Sequence, residues 1–93
     1  MKTKLDLLTE ILAHFDCPLK KEHYSKGGTI TREGLKQIHK FIAPETFGSA
    51  ETKSEHILGM MDALGAPFSE RYVSIGGTIT RESLILILEL LET

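Results

Sequence analysis

A single cysteine, Cys17, rules out an internal disulfide in this chain of 93 residues and fits a reducing compartment, for which the cytoplasm is the default. Long apolar runs are missing as well: none approaches the roughly 18 residues of a membrane span, so the expectation is a soluble domain that does not engage a membrane. Nor is there an excess of one charge. A formal net charge of -2 at pH 7 offers no general attraction to phosphate backbones, and nucleic-acid binding would need a local basic patch that the sequence does not display. Length, too, is short. It suffices for one compact domain over residues 1–93 with a single core, but not for a core plus a roomy substrate cleft, which argues against an enzyme and yields no candidate catalytic residue or cofactor. The opening MKTKLDLLTEILAHF starts with lysines, but Asp6 and Glu10 interrupt its apolar stretch and no small-residue cleavage site follows, so it reads as a helix rather than a signal peptide.

What the sequence does have is repetition. The string GGTITRE occurs at residues 27–33 and again at 76–82. Carried outward at the same 49-residue offset, the alignment pairs Pro18 with Pro67, Ser25 with Ser74, Leu35 with Leu84 and Ile38 with Ile87. Apolar residues also meet apolar ones: Leu8 and Ile57, Ile11 and Met60, Leu12 and Met61, Phe15 and Leu64, Phe41 and Leu90, Ile42 and Leu91. Two units are too few for a solenoid, but they can pair face to face. The implied organisation is repeat one over residues 3–42, a linker over 43–54 and repeat two over 55–92.

Periodicity fills in the elements. Leu5, Leu8, Ile11, Leu12 and Phe15 predict a first helix over residues 3–15, ended by Asp16-Cys17-Pro18 because proline disfavours helix in the residue before it. Residues 20–28 have no period and close in Gly27-Gly28, after which Thr29-Ile30-Thr31 is short and β-prone. Thr31 or a neighbour then caps a second helix, with Glu33 at the positive end of its dipole and Leu35, Ile38, Phe41 and Ile42 as its buried stripe. After the linker, Ile57, Leu58, Met60, Met61 and Leu64 make a third helix with Gly65 as its carboxy-terminal cap. A second loop reaches Gly76-Gly77 and a second Thr-Ile-Thr, and residues 83–92 make the fourth helix.

Gly-Thr-Ile-Thr followed by two residues, a small residue and leucine resembles the second half of the EF-hand calcium loop of calmodulin-like proteins. The resemblance implies an all-α fold of two tandem helix-loop-helix repeats, a short antiparallel β-bridge between the loops with Ile30 opposite Ile79, and a groove that receives another protein's apolar helix. Anchored on Gly28 and Ile30, the positions that would offer calcium its oxygens hold His23, Ser25, Gly27, Thr31 and Gly34; anchored on Gly77 and Ile79, they hold Tyr72, Ser74, Gly76, Thr80 and Ser83. None is acidic, and Glu33 and Glu82 fall one place early. A divalent ion stripped of water needs those carboxylates, so the expectation is a metal-free, calcium-independent module.

The fourth helix is the sharpest functional pointer. It keeps the stripe of the second helix with Leu84, Ile87, Leu90 and Leu91, then adds Ile85, Leu86 and Leu88 at the places held by Lys36, Gln37 and His39 in the first repeat. A helix that is apolar nearly all round is buried on more than one side. Either the linker or the first helix covers the extra face, or a second chain does. Fully exposing three aliphatic side chains would forgo roughly 5–8 kcal/mol at about 1.5–3 kcal/mol each, so Ile85, Leu86 and Leu88 are the partner-binding candidates of a non-enzymatic interaction module, as a homodimer or against an apolar helix of another protein.

The remaining motifs carry less. His14, His23, His39 and His56 stand singly without ligand spacing, which suggests solvated or locally hydrogen-bonded rings. Cys17, matched by Ala66, suits a small apolar residue at a helix end rather than a nucleophile. The paired glycines lack the lysine of a phosphate loop and the spacing of a dinucleotide site, so turn chemistry accounts for them. Arg32 and Arg81 lie in first helical turns and could meet a partner carboxylate. The alternative function is a helix-turn-helix DNA-binding regulator presenting Arg32, Lys36, Gln37 and Lys40, but the second repeat replaces Lys36 and Gln37 with Ile85 and Leu86, which cannot read bases.

Overall fold

Four threonines set where the long helices begin. The side-chain oxygens of Thr3, Thr31, Thr52 and Thr80 accept from the backbone N–H groups of Asp6, Gly34, Glu55 and Ser83, satisfying donors that a first helical turn leaves unpaired. At Thr3 and Thr52 the bond is reciprocated, because the Asp6 and Glu55 carboxylates accept from the threonine N–H. In this computed structural model, which describes residues 2–66, 70–74 and 76–93, the resulting elements are α1 (Lys4–Ala13), α2 (Arg32–Ile42), α3 (Pro44–Phe47), α4 (Lys53–Ala63) and α5 (Arg81–Glu92). One 3₁₀ turn precedes α2 (Lys21–His23) and another precedes α5 (Glu70–Tyr72). The molecule is mainly helical, and among the described residues no helix is long and apolar enough to cross a membrane.

The helices pair across the repeats. α1 lies along α5 and α2 lies along α4, so the first helix of each repeat packs on the second helix of the other. Arg81 Nε donates to Lys2 O at 2.7 Å at one end, and His14 Nε2 lies 3.8 Å from Glu92 Oε2 at the other. α1 and α5 therefore run parallel. The 49-residue offset carries α1·α5 onto α4·α2, so the two helix pairings correspond. Between the two seams lies one core, in which Leu8, Ile11, Leu12, Leu35, Ile38, Ile57, Met60, Leu84 and Ile87 are wholly buried.

Each loop closes on itself. In the first, Ser25 N–H donates to Thr29 O at 2.9 Å and Gly28 N–H to Ser25 O at 3.0 Å, with Gly28 at φ 84°, a conformation open to glycine. That tight turn sets Tyr24 opposite Ile30 in an antiparallel bridge. The second loop repeats it with Ser74, Thr78 and Gly77, and bridges Val73 to Ile79. The pairing of Ile30 with Ile79 expected from the sequence is not among the bridges of the described residues, where each isoleucine bridges within its own loop. The physical reason is that a hairpin this short brings a backbone partner to Ile30 from its own chain segment, and the two side chains go into the core instead, wholly buried. The loop is then fixed to the next helix, since Thr31 Oγ1 donates to Glu22 O and Thr80 Oγ1 to Arg71 O, both at 2.5 Å.

Other differences are local. α1 ends at Ala13, two residues short of the expected end, and the chain is turned by Asp16 in the left-handed region at φ 55°. Gly65 holds the matching place after α4 at φ 78°, as its predicted role as a cap requires. Pro67 lies outside the described residues. α5 starts at Arg81 because Thr80 caps it, and the linker contains the unexpected single turn α3, with Pro44 in its first position, where a missing N–H is harmless. Because Asp16 bears a side chain where the other repeat uses glycine, Asp16→Gly is expected to raise the unfolding free energy by roughly 0.5–1 kcal/mol, measured by urea denaturation. A loss of stability would show that the aspartate makes a compensating contact.

Candidate interaction site

Under the repeat offset, His39 and His56 on the α2·α4 seam correspond to Leu88 and Leu7 on the α5·α1 seam. All four side chains are buried, Leu88 at 5% exposure and His39 and His56 at 0% and 1%. The two seams therefore answer one packing demand with different chemistry.

On the α2·α4 seam the histidines make a polar chain. Their Nδ1 atoms lie 2.8 Å apart, and His39 Nε2 is 2.9 Å from Thr46 Oγ1, which donates in turn to Ala43 O at 3.3 Å. With the threonine hydroxyl committed to that carbonyl, His39 Nε2–H donates to it, and His39 Nδ1 accepts from His56 Nδ1–H. His56 Nε2 is left as a buried lone pair with no hydrogen-bond partner among the described residues. The reverse order would bury an unpaired N–H instead, the more expensive defect. Phe47 closes the site from α3, its ring centroid 5.9 Å from His39 and 5.8 Å from His56. Gly59 lets α4 come close, since a Cβ there would stand 2.9 Å from His39 Nε2. Burial holds both rings below the ordinary histidine value, reinforced at His39 by its neighbour His56 and at His56 by the cations Lys36 and Arg32.

The α1·α5 seam carries leucines in place of the histidines and, among the described residues, has no covering turn. It opens as a groove of about 260 Å³ lined by Lys2, Leu7, Arg81, Ile85, Leu88, Glu89 and Glu92. Beside it Lys2 Nζ pairs with Glu10 Oε2 at 2.8 Å, with Glu10 at the place of Gly59. Ile85 and Leu86 are half-buried and pack against the core margin. Leu88, a partner-binding candidate from the sequence, is 5% exposed because α1 packs along α5, and it meets the groove only at its floor.

The polar residue type of His39 makes Leu88 in the same place read as surplus apolar surface, whereas both side chains lie in buried seams. Of the histidines expected to be solvated or locally hydrogen-bonded, His14 is exposed, while His23, His39 and His56 are buried and hydrogen-bonded, with His23 Nδ1 accepting from Lys20 N–H at 3.2 Å. The signal available in the sequence was the offset itself, which sets His56 against Leu7 and His39 against Leu88. Cys17 and Ala66 pack at the core margin, as expected for small residues there. Among the described residues no group of three or more His, Cys, Asp or Glu side chains converges on one point. Comparison with protein-family models, curated proteins and solved structures finds no match to this chain.

The buried pair predicts a pH response. Both rings have folded-state values below the roughly 6.5 of an unfolded histidine, so the unfolded state takes up protons first. Their contribution to stability is present above about pH 6.5 and is lost as pH falls below it. The thermal midpoint of the wild type is expected to drop between about pH 7 and 5, and His39→Leu with His56→Leu, which copies the other seam, should fold and flatten that slope. Parallel wild-type and variant curves over this range would contradict it.

Proposed function

We propose that the chain is a non-catalytic protein–protein interaction module that receives an apolar element of a partner on the α1·α5 face. One observation carries this: two seams related by the internal offset differ in cover among the described residues, one roofed by α3 with Phe47 and the other bordered by a groove at which Ile85 is half-buried. The half-buried Ile85 at a groove rimmed by charges of both signs supports an interaction surface with an apolar group inside a polar rim. Lys2 and Arg81 stand at one end, Glu89 and Glu92 toward the other. The occupant is a segment of another protein or a second copy of this chain.

The EF-hand resemblance contributes little to this proposal, because loops closed by Tyr24–Ile30 and Val73–Ile79 depart from the inter-loop pairing it implies. What supports the module is the groove.

The surface is tested by comparing two substitutions on one helix. Ile85→Lys should leave the chain folded and lose less than about 1.5 kcal/mol, because its side chain can reach water, whereas Leu88→Lys buries a charge and should lose about 3 kcal/mol or more. Chemical denaturation of both variants decides. Equal losses would make Ile85 a core residue and remove the proposed surface.

A further inference from the structure

The His39–His56 pair is a buried titratable cluster on the seam away from the groove. In its neutral form every ring nitrogen but one is paired: His56 Nδ1–H donates to His39 Nδ1 and His39 Nε2–H to Thr46 Oγ1, while His56 Nε2 has no hydrogen-bond partner among the described residues. An added proton is poorly accommodated at either open place. On His56 Nε2 it makes a cation whose new N–H is buried without an acceptor, and on His39 Nδ1 it sets two N–H groups against each other across 2.8 Å. The charged groups around the pair do not relieve this. Lys36 and Arg32 of α2 oppose a charge on His56, whereas Glu55 of α4 favours one on His56 and Glu45 of α3 one on His39, each with less weight than burial.

The element that can give way is α3. None of its four residues is fully buried, and its backbone bonds stay within the local turn: Thr46 N–H and Phe47 N–H both donate to Ala43 O at 3.1 Å, and Ala50 N–H donates to Phe47 O at 3.3 Å. Pro44 has no N–H to offer the end of α2. Among the described residues, α3 holds the histidine pair by the Thr46–His39 hydrogen bond and by the Phe47 ring, whose centroid is 5.9 Å from His39 and 5.8 Å from His56. α2 and α4, by contrast, hold Leu35, Ile38, Ile57 and Met60 wholly buried. Lifting α3 loses a few surface contacts, whereas separating the long helices gives up the core. We propose that α3 is a latch released by acid: when the histidine pair takes up a proton, the turn lifts, water reaches His56 Nε2 and Phe47 moves to the surface, while the four long helices stay packed. With its imidazoles in water, the open form binds protons more tightly than the closed form, so falling pH shifts the population towards it. The latch stands whether or not the groove receives a partner.

The chain contains no tryptophan, so Phe47→Trp places a single fluorescent reporter on the latch. As pH falls from about 7 to 5, its emission should move to longer wavelength with a midpoint below about 6.5, while far-UV circular dichroism holds constant. With His39→Leu and His56→Leu added to the same variant, the emission should not change over that range. The wild type gives a reading free of any substitution. Its nuclear Overhauser contacts between the Phe47 ring and the two imidazoles should be lost with the same midpoint, while those within the core cluster of Leu8, Ile11, Leu84 and Ile87 persist. Emission and circular dichroism that change together would show unfolding of the whole chain and overturn the latch. A red shift that survives the two leucines overturns it as well. Where the tryptophan does not fit, the wild-type contacts decide: Phe47 still against the imidazoles once the pair is protonated ends the proposal.

Discussion

Neither repeat can bury its own apolar stripe, and the rest of the molecule follows from that constraint. Two helices joined by a hairpin expose two stripes, and this chain resolves them by exchange: α1 turns to α5 and α2 to α4. Each seam then contains one helix from each half, so neither half has a completed core in the absence of the other. The hydrophobic term is supplied jointly, by residues such as Leu8 and Ile57 or Ile38 and Ile87 that hold matching places in the two halves and are all wholly buried. The loops serve this exchange. A tight hairpin that bonds its own ends, and a threonine that both caps the next helix and ties it to the loop, fix the angle at which each second helix leaves its repeat.

A packing rule applied twice leaves room for one of its two instances to diverge. The leucine pair at Leu7 and Leu88 demonstrates that the seam needs only apolar volume. The histidine pair at His39 and His56 is a departure from that minimum, held below the ordinary histidine value by burial, with the cations Lys36 and Arg32 adding to this at His56, and hydrogen-bonded to the hydroxyl of Thr46. Once histidines occupy a seam, it needs a polar lid, and α3 provides one. A leucine seam has no such need, which leaves its groove open.

Much of this was legible in the sequence. The duplication, the long helices, the threonine caps and the glycine after α4 are local or periodic features, and each follows from spacing or backbone chemistry within a few residues. The partners of the helices were not legible, because an apolar stripe states that it is buried without stating against what. For the same reason the sequence sets Ile30 against Ile79, whereas the bridges among the described residues are to Tyr24 and Val73, nearer in the chain. His39 and His56 are separated by a linker and by residue type from any apolar pattern, so a rule that reads histidine as polar passes over them. Only the comparison of the repeats with one another puts them in the core, and the single-turn α3 is too short to have a period.

The internal relation bears on how the chain is threaded. The segment after α2 crosses to the start of α4, and the same offset carries that crossing onto the space from the end of α5 to the start of α1, where Glu92 and Lys2 already line one groove. The order of the helices along the backbone is therefore separable from their arrangement in space. A circularly permuted chain, joined across that space by a copy of the α3 segment and opened within the original one, would keep both seams and both hairpins while moving the covering turn from the histidine seam to the leucine seam.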